Sequence, residues 1–443
     1  AKARGGPLQA KIDPSATDTH LLRAATLAVV ERLQADPAVA WAQPNYIRRA
    51  QLTPDDELYD RQWHYEQINL PDAWETTTGS NDIIVAVLDT GILSEHPDID
   101  PARLVDGYDF VSTAFRGQDE DGIDPNPEDE GDDPRNQSSS FHGTHVAGTI
   151  GAWTNNGIGV AGVDWNVRIM PVRVLGVLGG TASEVSQGIL FAAGLTNESG
   201  TVPDEPARVI NMSLGGAGTS PIEQAAINDA RNAGTIIIAA AGNDSSSDMY
   251  SPAGLDGVIS VSASTVTGTK ASYSNYGEKV DVAAPGGEFW DADGDDNLDA
   301  VLSTLGNDEG DFIYRYYQGT SMASPHMAGV VALMLAVNPE LTPDDIDMLL
   351  AGTHPDTSIR ITRDLGLPGR DDFFGHGLID AAAAVIAASE VTGAGDIDPV
   401  GPRLSVLPAS LDFREFQSAL SVEVTNTGTG TLNVTSVTTD SPW

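Results

Sequence analysis

The sequence predicts a doubly wound α/β fold, a mostly parallel sheet with helices on both faces. Three observations lead there. Strand-like runs recur from Ile83 onward: "IIVAVLDT", "RIMPVRVL", "VINMSLGG", "TIIIAAAGN", "VISVSAS" and "KVDVAAPG". Several are apolar almost throughout, as strands covered on both faces must be. Between them lie helical segments with their own start signals, and strands alternating with helices are the pattern of this fold. "TASE" (Thr181 to Glu184) and "SPIE" (Ser220 to Glu223) read as capping boxes, in which hydroxyl and carboxylate each take a free backbone N–H. Pro221 occupies the first helical position of the second, Gly234 closes that helix, and "LTPDD" starts another near Thr342. In such folds the site lies at the carboxyl ends of the strands.

This pattern fills residues 51–390. Ahead of it, residues 20–34 carry apolar residues at helical spacing and "AVAWAQPNYI" alternates like a strand, so 1–50 is a small α+β piece. Residues 391–402, "VTGAGDIDPVGP", read as a linker. Residues 403–443 are β-rich with "NTGTG" as a turn, and are expected to be the first strands of an immunoglobulin-like domain, a partial β-sandwich.

The net charge of -41, with lysine only at 2, 11, 270 and 279, argues against nucleic acid or an anionic membrane as partner and favours divalent cations. There is no cysteine, which removes disulfides, thiol chemistry and thiolate metal sites. No run of about eighteen apolar residues stands out, so no membrane span is expected. The opening "AKARGGPLQAKIDP" has no apolar signal-peptide core, so export would need a leader outside the sequence given.

Three segments carry reactive side chains. "VAVLDTGI" places Asp89 at the end of a buried strand, where an ionised carboxylate needs a partner. "FHGTHVAGTIGA" places His142, and "GTSMASP" places Ser321, at the start of a helix. Ser321 reads two ways, as an N-cap or as a nucleophile at the positive end of a helix dipole. The order Asp, His, Ser is the order of the subtilisin triad, unlike that of chymotrypsin or the α/β-hydrolases.

"VAVLDTGI", "HGTHVAG" and "GTSMASPH" resemble the signature segments of the subtilisin-like serine proteases, and the resemblance runs from about Asp55 to Ala388. It implies a subtilisin-like fold and a serine endopeptidase with Asp89, His142 and Ser321 as triad and Asn243 of "AAAGND" as oxyanion donor. It implies substrate binding by Ser213, Leu214 and Gly215 of "NMSLGG" with Ala241 and Gly242, suiting large apolar P1 side chains; Asp244 is a weaker candidate for attracting a basic one. It also implies calcium, held by Asp56, Asp98, Asn156 and the carbonyls of Trp153, Ile158 and Val160. "ERLQADPAVAWAQPNYIRRAQLTPDD" resembles the end of an inhibitory pro-domain, so 1–50 would be part of one, cleaved between Ile47 and Asp55. A secreted monomer acting on proteins or peptides, and inhibited by its own pro-domain, is the expectation.

"DADGDDNLD" (Asp291, Asp293, Asp295, Asp299) spaces oxygens like a calcium loop, though its glycine is at the fourth position rather than the sixth, so it is not an EF-hand. This loop and the acidic "QDEDGIDPNPEDEGDDP" each read as a calcium site or as a solvated face. His145 and His326 read as packed helix residues. The alternative function is a catalytically silent binding or adhesion protein working through its C-terminal β domain.

Overall fold

The computed structural model describes residues 52–392 apart from 120–121, 133–138, 249 and 296, together with residues 30, 32, 39, 404–407 and 423–426. The strands are β1 (Ile84–Asp89), β2 (Tyr108–Asp109), β3 (Arg168–Arg173), β4 (Val209–Met212), β5 (Gly216–Ala217), β6 (Ile236–Ala240), β7 (Tyr250–Ser251), β8 (Val258–Ser264), β9 (Val282–Pro285), β10 (Val301–Gly306), β11 (Phe312–Tyr317), β12 (Thr362–Arg363), β13 (Leu378–Ile379), β14 (Leu404–Leu407) and β15 (Glu423–Asn426). The longer helices are α1 (His142–Gly151), α2 (Ala182–Ala192), α3 (Pro221–Asn232), α4 (Thr320–Val337), α5 (Pro343–Ala351) and α6 (Ala381–Glu390).

Nine strands form one sheet in the order β12-β13-β9-β8-β6-β4-β1-β3-β2. Every pairing in it is parallel except β12 with β13. The six apolar runs read from the sequence supply β1, β3, β4, β6, β8 and β9. The chain leaves β1 for β2 and β3 on one side, then crosses to β4 on the other. Asp89 therefore ends the strand at which the winding reverses, where open α/β sheets form their crevice.

Alternate residues of β1 enter different cores. Val85 and Val87 join Ile169, Val209, Ile236 and Ile238 in the core under α1, α4 and α6. Ile84, Ala86 and Leu88 join Val172, Ile210 and Ile237 in the core under α2 and α3. Both faces are sealed, which is why the strands read as continuous apolar runs rather than alternating ones.

The helix starts follow the capping signals, with one difference. Thr181 and Glu184 exchange bonds as a full capping box, as do Thr342 and Asp345. Ser220 accepts the Glu223 N–H at 3.3 Å, but the Glu223 carboxylate does not return to the cap. It takes the Ser251 hydroxyl instead, because the β5–β7 pairing (Gly216 opposite Ser251) brings that residue over the helix start.

Helix α4 corrects the expectation of no long apolar run. It has 18 residues with mean hydropathy 1.4, enough to cross a membrane, yet 83% of it is buried inside the protein. Its apolar surface is used by the sheet, and Pro325, Gly319 and the polar lead-in mask it in the sequence.

The chain divides into units Ala1–Gln51 and Leu52–Trp443. In the first, Val30 and Arg32 are helical; the pro-domain reading and its cleavage region up to residue 51 otherwise lie outside the described residues. So do most of the 391–402 linker and the immunoglobulin-like reading of 403–443, within which β14 and β15 pair antiparallel, Leu404 opposite Asn426.

Candidate functional site

Asp89 is fully buried, and its Oδ1 accepts the Thr90 N–H at 2.8 Å while lying 2.7 Å from His142 Nδ1. His142 is the first residue of α1, preceded by Phe141 in the left-handed conformation (φ 50°). That sparsely populated backbone turns the chain abruptly into the helix. Gly143 makes the approach possible. A Cβ there would stand 2.2 Å from the Gly91 carbonyl and 3.1 Å from Asp89 Cβ. Burial disfavours the imidazolium, yet the charge of Asp89 and its hydrogen bond outweigh burial and hold His142 above its ordinary pKa. Asp132 and Asp129 push in the same direction.

Those last two come from the acidic 118–134 segment. Asp129 Oδ2 accepts the Thr90 hydroxyl at 2.7 Å, and that hydroxyl oxygen accepts the Gly143 N–H at 3.0 Å. Asp132 holds Ser140 through its N–H at 2.8 Å and its hydroxyl at 2.5 Å. Part of the loop is thus tied to the histidine's surroundings rather than solvated. Arg173, opposite Asp89 in the β1–β3 ladder, is fully buried and bonds Asp109 at 2.7 Å, Asp119 at 3.0 Å and the Thr90 carbonyl at 3.2 Å.

Ser321 is not the N-cap of its helix. Gly319 is the cap, without any side-chain bond, and Ser321 is the second helical residue. Gly319 has φ 154° and ψ 160°, a region essentially reserved for glycine. A Cβ there would lie 3.5 Å from the Ser321 N and 3.6 Å from Asn243 Nδ2, so both donors flank one small space. Asn243 is oriented by Thr320, whose N–H and hydroxyl both donate to its Oδ1 at 2.9 Å. The amide nitrogen is left pointing away from Thr320.

Pro325 explains a further contact. Lacking an N–H, it cannot bond the Ser321 carbonyl one turn back. The Ser213 hydroxyl donates to that carbonyl at 2.7 Å, and the Ser321 hydroxyl donates to the Ser213 carbonyl at 3.2 Å. Asn211, bonded to both Ser213 Oγ (3.0 Å) and Ser324 Oγ (2.6 Å), fixes this junction between β4 and α4.

An open groove of about 670 Å³ has His142 and Ser213 among its lining residues. Thr90 and Asp132 line it too, with Leu214 and Gly215 next to Ser213, and with Leu175 and Leu178 to Ala182. Ala241 lines a separate small hollow with Tyr250 and Asn275, and the Gly242 N–H is taken by Thr320 Oγ1 at 3.1 Å. Asp244 accepts the Tyr250 hydroxyl at 2.5 Å.

His145 and His326 are packing residues. His145 stacks on Tyr317 and its Nε2 faces the Val301 and Arg315 carbonyls, with burial pushing it down to about 3. His326 bonds the Met322 carbonyl and His64, and burial lowers it to about 4.

Among the described residues, carboxylates also gather at the two places where calcium is expected. Asp98 is fully buried, accepting Asn156 Nδ2 and the Val160 N–H, both at 2.8 Å. Burial pushes it up to about 7, and neighbouring Asp56, itself buried and bonded to the Asn155 N–H at 2.9 Å, adds to the rise. Two buried carboxylates repelling each other, beside the Trp153–Val160 loop with its amide and carbonyl oxygens, fit a hard divalent cation. Asp291, Asp293, Asp295 and Asp299 each bring a carboxylate oxygen within 4.8 Å of the others. Asp299 is buried, and burial with the charges of the other three raises its pKa.

The chain belongs to the subtilase family: the Subtilase family model matches residues 80–377. It is 43% identical over 391 residues to an extracellular protease of Xanthomonas campestris pv. campestris, covering 84% of this chain and 63% of that one. It is 36% identical over 386 residues to an extracellular basic protease of Dichelobacter nodosus, covering 81% and 60%. The chain thus spans less than two thirds of either relative. A solved structure of a protease from Pseudoalteromonas arctica PAMC 21717 is 44% identical, with a TM-score of 0.68, and matches 76% of this chain and all of that one.

The sequence points to Asp89, His142, Ser321 and Asn243 but assigns no part in the site to Thr320, Pro325, Arg173 or Asp129, and takes Glu223 only as a helix cap. Pro325 was detectable as a proline within a helical pattern, and Arg173 as a cation in an otherwise apolar strand. Nothing local marks the others.

Proposed function

We propose that this chain is a secreted serine endopeptidase that cleaves proteins or peptides through an acyl-enzyme. The observation that carries the reading is the 2.7 Å contact between buried Asp89 and His142 Nδ1, on a groove whose wall residue Ser213 holds the Ser321 hydroxyl. With Nδ1–H donating to Asp89, the lone pair of His142 is on Nε2, the tautomer a general base needs. A rotation of the Ser321 hydroxyl from the Ser213 carbonyl to that nitrogen prepares the attack. Catalytic hydrogen bonds commonly tighten only when substrate is bound. His142 takes the hydroxyl proton as Ser321 Oγ bonds the scissile carbon and hands it to the amine as the C–N bond breaks, after which a water activated by the same imidazole hydrolyses the acyl-serine ester. Asn243 Nδ2 and the Ser321 N–H supply the oxyanion donors.

The substrate chain lies alongside Ser213 to Gly215 as an added strand. The P1 pocket for a large apolar residue is assigned to Ala241 and Gly242, although Ala241 lines a hollow separate from the groove. The printed names of the Xanthomonas and Dichelobacter relatives, both extracellular proteases, support secretion. Residues 1–50 act as part of an inhibitory pro-domain in this reading.

Calcium is the ion we assign to Asp56, Asp98 and Asn156 with the carbonyls of Trp153, Ile158 and Val160, and to the Asp291–Asp299 loop. It would neutralise paired carboxylates and tie loops together, taking no part in the bond cleavage. The test is casein hydrolysis: wild type should cleave, and Ser321→Ala should lose the activity. Equal hydrolysis by both would sink the proposal and leave the adhesion reading.

A further inference from the structure

Glu223 stands out among the groove residues. It is only 5% exposed, yet it lines the groove together with Val185, Leu214, Gly216 and Ser251. Its Oε2 accepts the Ser251 hydroxyl, its Oε1 has no hydrogen-bond partner among the described residues, and no lysine or arginine pairs with it or lines the groove there. That second oxygen is not sealed in the interior but opens onto the groove, where a cationic group of a bound chain can reach it. The capping role that would satisfy it is unused, because Ser220 receives nothing back. Around it the surface is apolar: Val185 and Leu214 belong to one packed cluster. Apolar walls with one carboxylate on the floor match a side chain that has an aliphatic stem and a cationic tip.

The location fixes which substrate residue is involved. Ser213 is the residue bonded to Ser321, so the scissile bond lies beside it. Ser251, the partner of Glu223, pairs with Gly216, three residues further along the same segment. At about 3.3 Å per residue this is roughly 10 Å from the nucleophile. We propose that Glu223 makes this end of the groove selective for a lysine or arginine of the substrate, about three residues from the scissile bond. This rests on the peptidase reading above, and it concerns a pocket separate from the one assigned to P1. The protein's large negative charge draws basic chains toward the groove in the same sense.

The test is a positional scan with internally quenched peptides, reading kcat/KM for wild type and Glu223→Gln. Wild type should prefer Lys or Arg over Leu at one position about three residues from the cut, by about tenfold or more. Glu223→Gln should bring that ratio close to one. Cleavage without a basic preference, or a preference that survives in Glu223→Gln, would overturn the inference. Should the variant fail to fold, the wild-type ratio itself decides. It should shrink with added salt, and a ratio indifferent to salt would overturn the inference equally. Absence of all cleavage would instead overturn the peptidase reading, and this inference with it.

Discussion

Asp89 and Arg173 face each other across the β1–β3 ladder, both fully buried, and neither bonds the other. Asp89 turns to His142 Nδ1 at 2.7 Å, while Arg173 turns to Asp109 and Asp119. The Asp89 carboxylate is thereby kept for the histidine, although a guanidinium sits one strand away. A buried cation that serves other carboxylates leaves Asp89 free to orient an imidazole.

From this division Asp89→Asn should leave the fold intact and lower kcat by about 10⁴-fold, the order known for the same exchange in a chymotrypsin-type triad. The amide donates to His142 Nδ1 and forces the wrong tautomer. Steady-state kinetics on a chromogenic peptide, with thermal unfolding as the fold control, measure both.

Arg173→Leu should act on stability instead. It leaves Asp109 buried beside Asp119 with no cation, and breaking a buried pair costs about 3–5 kcal/mol. Urea unfolding should register a loss of that order, and the same exchange combined with Asp109→Asn should recover part of it.

Asn243→Ala should reduce kcat about 10²–10³-fold with little change in KM, the magnitude known for the equivalent asparagine of subtilisin. Its Oδ1 is already occupied by Thr320, so the amide nitrogen is what the exchange removes. Thr320→Val should produce a smaller loss of the same kind, by letting the amide rotate.

Calcium and pH should be coupled through Asp98. Its pKa is about 7 in the folded protein against an ordinary 3.8, so between those values the folded state holds the extra proton. Stability of the metal-free protein must then fall as pH rises from about 4 to 7. Calcium, which binds the ionised form, should remove that fall. Tm measured across this range with chelator and with millimolar calcium checks it. Asp98→Asn should lessen the decline and the response to calcium together.

Much of the fold was legible because six of the nine sheet strands are apolar runs too short and too β-branched to be anything else. The capping signals were legible where the hydroxyl and carboxylate serve only each other, as in Thr181 and Glu184. They misled at Glu223, whose partner Ser251 arrives from a strand 28 residues on. Asp89, His142, Ser321 and Asn243 are singled out by short motifs in the sequence, which lie at or just beyond the ends of strands and helices. Thr320, Asp129 and Arg173 act through contacts across long stretches of chain, and no local spacing encodes those. From the sequence, Ser321 reads as a helix cap or a nucleophile. The structure gives the cap to Gly319, whose backbone only glycine readily adopts.

The central claim is that Ser321 is a nucleophile activated by His142. Labelling with a fluorophosphonate, with the adduct mapped by peptide mass spectrometry, tests it most directly. The account predicts a single adduct on Ser321 that forms quickly in wild type and only very slowly in His142→Ala. An adduct on another residue, no adduct at all, or labelling of Ser321 at the same rate without His142 would contradict it.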